Sequence, residues 1–145
     1  MNKLDCKKTL LVLLLSTQSC ASVATESYSC PNELLVNSTV EAVPDEWAAE
    51  NSRKNHYLIS SGFSDGPPSE NFFLRPTETI DSSNSDLISD VDVYDLSDLS
   101  EDGVWLVCRY GDTSAALVQK LKQTYSSCEV SLPKDLSEQK IICKR

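Results

Sequence analysis

Acidic side chains are the groups in this sequence most able to do chemistry, and they are concentrated in one stretch. Nine carboxylates and no Lys or Arg lie between Arg75 and Arg109. The densest part reads DLISDVDVYDLSDLSEDG, residues 86–103. Carboxylates at this density can bind a divalent cation, act as paired acids in glycoside hydrolysis, or attract a basic partner.

An EF-hand calcium loop is the most specific of these motifs, and the acidic stretch does not fit it. Such a loop needs acids at positions 1, 3 and 5, Gly at 6 and Glu at 12. Counted from Asp90, Asp92 and Glu101 fit, but Tyr94 occupies the third ligand position and Asp95 the glycine position. We therefore expect no metal site and no cofactor. A calcium site of another kind is the alternative.

Other catalytic motifs are missing from the sequence. His56 is the only imidazole, and a lone His is usually a surface or hydrogen-bonded residue. There is no GxSxG elbow, phosphate loop or HExxH pair. A sugar-binding cleft would need aromatic side chains, and Trp105 is better explained as core than as cleft. We predict no catalytic residues, with a carboxylate-dependent hydrolase as the alternative.

The first two dozen residues are typical of an export signal. Six apolar residues, LLVLLL, follow a basic start and are too few to span a bilayer, which takes about 20. The small residues SVA at 22–24 predict cleavage after Ala24, with Ala21 nearly as good. We predict a periplasmic or secreted protein without a transmembrane segment. The alternative is a lipid anchor on Cys20, which directly follows the apolar region.

The chain that remains after cleavage is strongly acidic and suits one domain. Removing residues 1–24 takes away three Lys and one Asp, so the net charge falls from −9 to about −11. This charge argues against nucleic acid and anionic lipid as partners. About 120 residues support one hydrophobic core, so we expect residues 25–145 to form a single domain.

Four cysteines remain in the exported chain: Cys30, Cys108, Cys128 and Cys143. An even number in an oxidising compartment predicts two disulfides, and the spacing does not suit a zinc site. Four cysteines allow three pairings. We favour Cys108 with Cys128 and Cys30 with Cys143, with Cys128–Cys143 as the rival.

Strand patterns dominate the chain. Residues 103–110, GVWLVCRY, are apolar on both faces and predict a central strand, while ELLVNSTV, HYLISSGF and NFFLR predict further strands. SCEVSL and KIICK form a candidate hairpin in which Cys128 faces Cys143 if Leu132 faces Gln139. DVDVYDL suits a half-buried strand with its acids outside.

Helix signals are weak, and the predicted fold is mainly β. Residues 44–53 predict one short helix, residues 113–125 suit either a helix or a strand, and residues 80–86 predict a surface loop. We predict a single antiparallel β domain, a sandwich or meander, with one short helix and two disulfides.

Several of these segments together resemble a known group of proteins. SCP at 29–31, GFSDGPPSENFFLRP at 62–76, WLVCRYGDT at 105–113 and CEV at 128–130 resemble a family of small exported four-cysteine proteins of Gram-negative bacteria without an assigned activity. Some members lie among type VI secretion genes. The resemblance implies a periplasmic immunity protein that protects the cell from an exported toxin.

We therefore expect a periplasmic inhibitor that occludes a basic toxin, such as a cell-wall-directed enzyme. The expected partner-binding residues are the acids of the central stretch: Asp90, Asp92, Asp95, Asp98, Glu101 and Asp102. The alternative is an envelope structural or accessory protein or lipoprotein without inhibitory activity.

Overall fold

The computed structural model describes residues 24–81, 88–133 and 139–145. The expected signal peptide, Cys20, most of the expected loop at 80–86 and the loop of the C-terminal hairpin lie outside these ranges. Within them, no helix is long and apolar enough to cross a membrane.

In the described part of the chain, nine antiparallel strands form two sheets. The five-stranded sheet has the order β1 (Thr25–Tyr28), β9 (Lys140–Lys144), β8 (Ser127–Pro133), β5 (Ile88–Asp95) and β4 (Glu78–Asp81). The four-stranded sheet has the order β2 (Glu33–Ser38), β3 (Ser52–Asp65), β6 (Val104–Tyr110) and β7 (Ala116–Lys120). The prediction of a mainly antiparallel β fold is confirmed.

The core draws side chains from both sheets. Leu106, Cys108 and Tyr110 come from one face of β6, while Val130 and Ile141 come from the five-stranded sheet, and all five are buried. This face of β6 follows the two-residue period of a strand. The prediction that β6 is a central strand is confirmed by its pairing with β3 on one side and β7 on the other.

Aromatic rings connect the sheets inside this core. Phe63 on β3 meets Tyr94 on β5 with ring centroids 5.0 Å apart and ring planes at 73°. This edge-to-face geometry is the one that the ring quadrupoles favour, worth about 0.5–1.5 kcal/mol beyond area burial. Burial, followed by the nearby charge of Asp92, raises the pKa of Tyr94.

Two disulfides are present, as predicted, but the favoured pairing is wrong. Cys128 bonds Cys143, and Cys30 bonds Cys108. The first pair faces each other across β8 and β9 with Cα atoms 4.1 Å apart, in the register predicted for the hairpin. Cys30 lies where the chain leaves the five-stranded sheet for β2, and it meets the core face of β6.

Two local predictions are also wrong. Residues 44–53 form no helix: they contain an exposed turn, in which the Trp47 amide donates to the Pro44 carbonyl at 3.2 Å, and Ser52 begins β3. With every residue of this segment exposed, no apolar face is buried to support a helix. NFFLR makes only an isolated bridge, Phe73 to Ser64, instead of a strand. The short helix of the fold is a 3₁₀ turn at Pro68–Glu70.

The ambiguous segment 113–125 contains strand β7, because Ala116–Lys120 pairs with β6. ELLVNSTV contributes β2, and HYLISSGF lies within the longer β3. His56 is buried and its Nδ1 lies 2.7 Å from the Gly111 carbonyl oxygen, which confirms the expected hydrogen-bonded role.

A polar network closes one end of the domain. The Tyr125 hydroxyl donates to the Glu26 carboxylate and accepts from the Tyr28 hydroxyl at 2.8 Å. Lys122 Nζ lies 2.8 Å from the same carboxylate. Lys122 first, and then Tyr125, lower the pKa of Glu26 by favouring its ionised form. The network therefore joins β1 to the loop that precedes β8.

Removal of the Cys30–Cys108 bond should destabilise the fold more than removal of the hairpin bond. In the chain-entropy model, the sequence separations of 78 and 15 residues correspond to about 4.5 and about 3 kcal/mol. Urea unfolding of C30A/C108A and C128A/C143A under oxidising conditions measures both losses. The same loss in both variants, or the opposite order, would contradict this account.

The ionised Glu26 carboxylate should stabilise the fold at neutral pH, and this contribution should be lost in acid. Its folded-state pKa is below the ordinary value of 4.5, so its contribution is complete above the unfolded pKa and is lost as the pH falls through the folded pKa. We expect E26Q to melt at a lower temperature than the wild type at pH 7, and the difference to shrink towards pH 3. E41Q, which changes an exposed carboxylate in the 41–50 loop, is the control and should shift melting little at either pH.

Candidate functional site

The acids of strand β5 point in different directions. Asp92 shares the face of the buried Tyr94 and is half-buried, so the prediction that this strand keeps its acids outside is wrong for Asp92. Its Oδ1 accepts from the Thr79 hydroxyl at 2.7 Å. Asp90 is half-buried and lies directly across from Asp81 on β4, a placement of like charges that is unfavourable without a compensating cation or solvent.

Asp95 has a local structural task. At the end of β5 its Oδ1 accepts from the Ser97 amide at 3.0 Å and from the Ser97 hydroxyl at 2.7 Å. These bonds, the side-chain one first, lower the pKa of Asp95. The carboxylate thus starts the turn that follows β5, and its replacement would alter that turn as well as the charge.

Three exposed acids lie on the two turns between β5 and β6. We call Asp98, Glu101 and Asp102 the acidic turns; all three are exposed, and none makes an ion pair with a described Lys or Arg. Asp65 holds this segment against β3 by accepting from the Ser100 amide at 3.0 Å and from the Ser100 hydroxyl at 2.5 Å. The acidic turns are therefore positioned by the fold while their charges face solvent.

A cleft lies on the outer face of the four-stranded sheet, which is the face opposite to Leu106 and Cys108. Trp105, Val107 and Arg109 of β6 form the floor of a cleft of about 740 Å³. Its sides come from Ile59, Phe73, the Pro67–Ser69 segment, residues 113–116 and Val118. We call this cleft the outer groove. Most of its lining is apolar.

Several groove side chains are unusually exposed for their type. Ile59 is 61%, Val118 46% and Phe73 40% exposed. Trp105 is half-buried and does not belong to the main core, so its assignment to the core is wrong. Its Nε1 is buried without a hydrogen-bond acceptor in the described part of the chain. Contiguous apolar exposure and an unsatisfied buried donor are both features of binding sites.

The outer groove has charged groups at its margins. The Arg109 guanidinium stacks over the Phe73 ring, with Cζ 4.3 Å from the centroid. A smaller cleft of about 340 Å³ continues from these two residues towards Asp92 and Tyr94. At the Trp105 end, Glu70 and Asp102 both approach Gly66, since a Cβ built there would lie 3.5 Å from Glu70 Oε2 and 3.7 Å from Asp102 Cβ. An apolar surface is thus bordered by carboxylates.

Gly66 is required at this position for conformational reasons. Its φ is +79°, in the left-handed region that glycine adopts at no steric cost. Its amide donates to the Gly103 carbonyl at 2.9 Å. This bond ties the end of β3 to the residue that precedes β6, and so brings both Glu70 and Asp102 close to Gly66.

Metal-binding geometry is not formed by these acids. Among residues 24–81, 88–133 and 139–145, no three or more His, Cys, Asp or Glu side chains are grouped so that they could hold a metal ion. The six acids expected to bind a partner are also divided: Asp98, Glu101 and Asp102 share the acidic turns, whereas Asp90, Asp92 and Asp95 have separate surroundings.

The chain matches a known protein family. The family model described as Type VI secretion system Tli immunity protein matches residues 52–144, which is more than half of the chain. The chain belongs to the Tli immunity protein family. It is thus an immunity protein against a type VI secretion toxin, as the resemblance implied. No curated protein and no solved structure matches the chain.

The Tli match begins and ends with strands of the fold. It runs from Ser52, the first residue of β3, to Lys144, the last of β9. The acidic turns and the outer groove lie inside it, while β1, β2 and Cys30 lie outside. Both candidate surfaces are therefore formed by the part of the chain that the Tli family shares.

Sequence reasoning identified the acids of the candidate site but not the groove. The alternation of Trp105, Val107 and Arg109 was visible, but two apolar faces on one strand indicated burial on both sides. NFFLR was interpreted as a strand, whereas Phe73 instead borders the groove. One signal of the groove was available in the sequence: the face of β6 that carries Trp105 and Val107 ends in Arg109. An unpaired Arg is seldom fully buried, so such a face should reach the surface.

Proposed function

We propose that this Tli family member acts in the periplasm as a stoichiometric inhibitor that binds its toxin and covers the toxin's active site. Family membership carries the proposal, since an immunity protein implies a toxin partner. The periplasm is supported by the predicted export signal and by the two disulfides, which persist in oxidising compartments. A cell-wall-directed enzyme remains the predicted toxin class.

Binding without catalysis accounts for the chemistry of the described surface. His56 is buried against a backbone carbonyl, and all four described cysteines are in disulfides. These groups therefore offer neither an accessible imidazole nor a thiolate. Protection by occlusion needs only a complementary, stable surface, which a disulfide-linked β sandwich can provide.

The acidic stretch contributes to this proposal through the acidic turns. Exposed carboxylates without ion-pair partners create a negative potential that speeds the approach of a basic protein over about one Debye length. Rim charges of this kind act mainly on the association rate. Of the six expected acids, we assign the role first to Asp98, Glu101 and Asp102; Asp90, Asp92 and Asp95 would add to the same field from more constrained positions.

Co-expression with the product of an adjacent toxin gene tests the proposed function. Cells that export the toxin should survive when the full chain, with its first 24 residues, is made with it. A version lacking those residues should stay in the cytoplasm and fail to protect. The purified proteins should form a one-to-one complex. Protection by the version without the leader would contradict periplasmic action, and absence of a complex would contradict inhibition by binding.

Neutralising the acidic turns should slow association with that toxin. We expect D98N/E101Q/D102N to reduce the association rate constant about three- to tenfold at low salt, with a smaller change in the dissociation rate constant. The effect should shrink in about 0.5 M salt, because the Debye length falls. Stopped-flow or surface-based kinetics measure both rates.

The matched control is E41Q/D45N/E50Q, which removes the same three charges from the exposed 41–50 loop. If both triple variants slow association equally, total charge matters and the acidic turns have no special place. If neither variant changes the rate at low salt, electrostatic attraction plays no part in the encounter.

A further inference from the structure

We propose that the outer groove is the main toxin-binding surface, and that it takes an extended apolar toxin segment with a basic side chain at its Glu70–Asp102 end. This inference rests on the proposed function, because the partner is the toxin that the protein neutralises. It adds the surface and the chemistry of the segment that fills it. The acidic turns then attract the toxin, and the groove holds it.

The apolar character of the groove supports such an occupant. Ile59, Phe73 and Val118 expose large apolar side chains around a half-buried tryptophan. Tight interfaces are held by a few aromatic or aliphatic side chains that fill a desolvated pocket, surrounded by a polar rim. A cleft of about 740 Å³ is within the range that accommodates a few side chains.

The charges around the groove indicate in which orientation the toxin segment would bind. Glu70 and Asp102 both approach Gly66 at the Trp105 end, where neither makes an ion pair with a described cation. Arg109 lies two strand residues beyond Val107, near the other end, and stacks on Phe73. A toxin lysine or arginine would thus meet carboxylates at one end. A carbonyl or carboxylate would meet the guanidinium at the other.

Three other exposed apolar residues lie away from the groove. Trp47 lies on an exposed turn and Val40 on the loop that follows β2. Ile80 lies on β4, the edge of the other sheet, and faces Val91 across the pair. None of these three lines the outer groove. Ile80 therefore provides a matched control: it is 46% exposed, like Val118, and both are on edge strands.

Affinity for the purified product of the adjacent toxin gene tests the inference. We expect V118D to weaken binding by tenfold or more in calorimetry, mainly through faster dissociation, since a buried carboxylate would replace an apolar contact. I80D should bind within about threefold of the wild type. Both substitutions are at exposed positions, and thermal melting should confirm that both variants fold. I59D provides a second groove variant, with the same expectation as V118D.

Each of the following outcomes would overturn the inference that the groove binds the toxin. If V118D and I59D fold and bind like the wild type, the groove is not the toxin site, although protection and the proposed function stand. If I80D is as weak as V118D, the interface is not specific to this face. If wild-type protein is a dimer that V118D converts to a monomer with toxin affinity unchanged, the groove holds a second copy. If the wild type itself does not bind, the proposed function fails as well.

A charge reversal tests the proposed direction of the segment. E70K/D102K should raise the dissociation rate constant of the complex at least fivefold. This effect comes in addition to the slower association expected when the charge of the acidic turns is reduced. E41K/E50K makes the same charge change away from the groove and is the control. A dissociation rate unchanged by E70K/D102K would overturn the placement of a basic toxin residue at this end.

Discussion

The two-residue period of strand β6 is the constraint on which the two surfaces of this domain depend. Leu106, Cys108 and Tyr110 face the core, so Trp105, Val107 and Arg109 must face the opposite side. A shift of register by one residue would expose the disulfide and bury the guanidinium. The core and the outer groove are thus two consequences of one strand geometry, and neither can change alone.

The Cys30–Cys108 bond secures that register from the other sheet. It joins the segment after β1 to the core face of β6, across a separation of 78 residues. The Phe63–Tyr94 contact and the bond from the Ser61 hydroxyl to Gln139, at 2.6 Å, connect the same two sheets. The Cys128–Cys143 bond acts more locally, within the β8–β9 hairpin. A rigid, cross-linked scaffold suits inhibition by occlusion, because little conformational entropy is lost on binding.

Under the proposed mode of binding, attraction and retention would be properties of different parts of one side of the molecule. The acidic turns are held by Asp65 and by the Gly66–Gly103 bond, which places their charges beside the Pro67–Glu70 wall of the groove. Charge acts over roughly a Debye length, whereas apolar contact acts only after water is excluded. An immunity protein benefits from both, since it must meet its toxin quickly and then release it slowly.

Period and composition in the sequence determined the strand content, the central place of β6, the hairpin register that opposes Cys128 to Cys143, and the acidity of the 86–103 stretch. These are local properties, because each follows from side chains a few residues apart. The disulfide pairing of Cys30, the absence of a helix at 44–53 and the half-burial of Asp92 depended on which distant segments meet. The outer groove required tertiary structure for the same reason: Phe73, Ile59 and Val118 come from separate parts of the chain. Only sheet packing decides that the second face of β6, where Val107 is buried and Trp105 is half-buried, becomes the floor of a cleft.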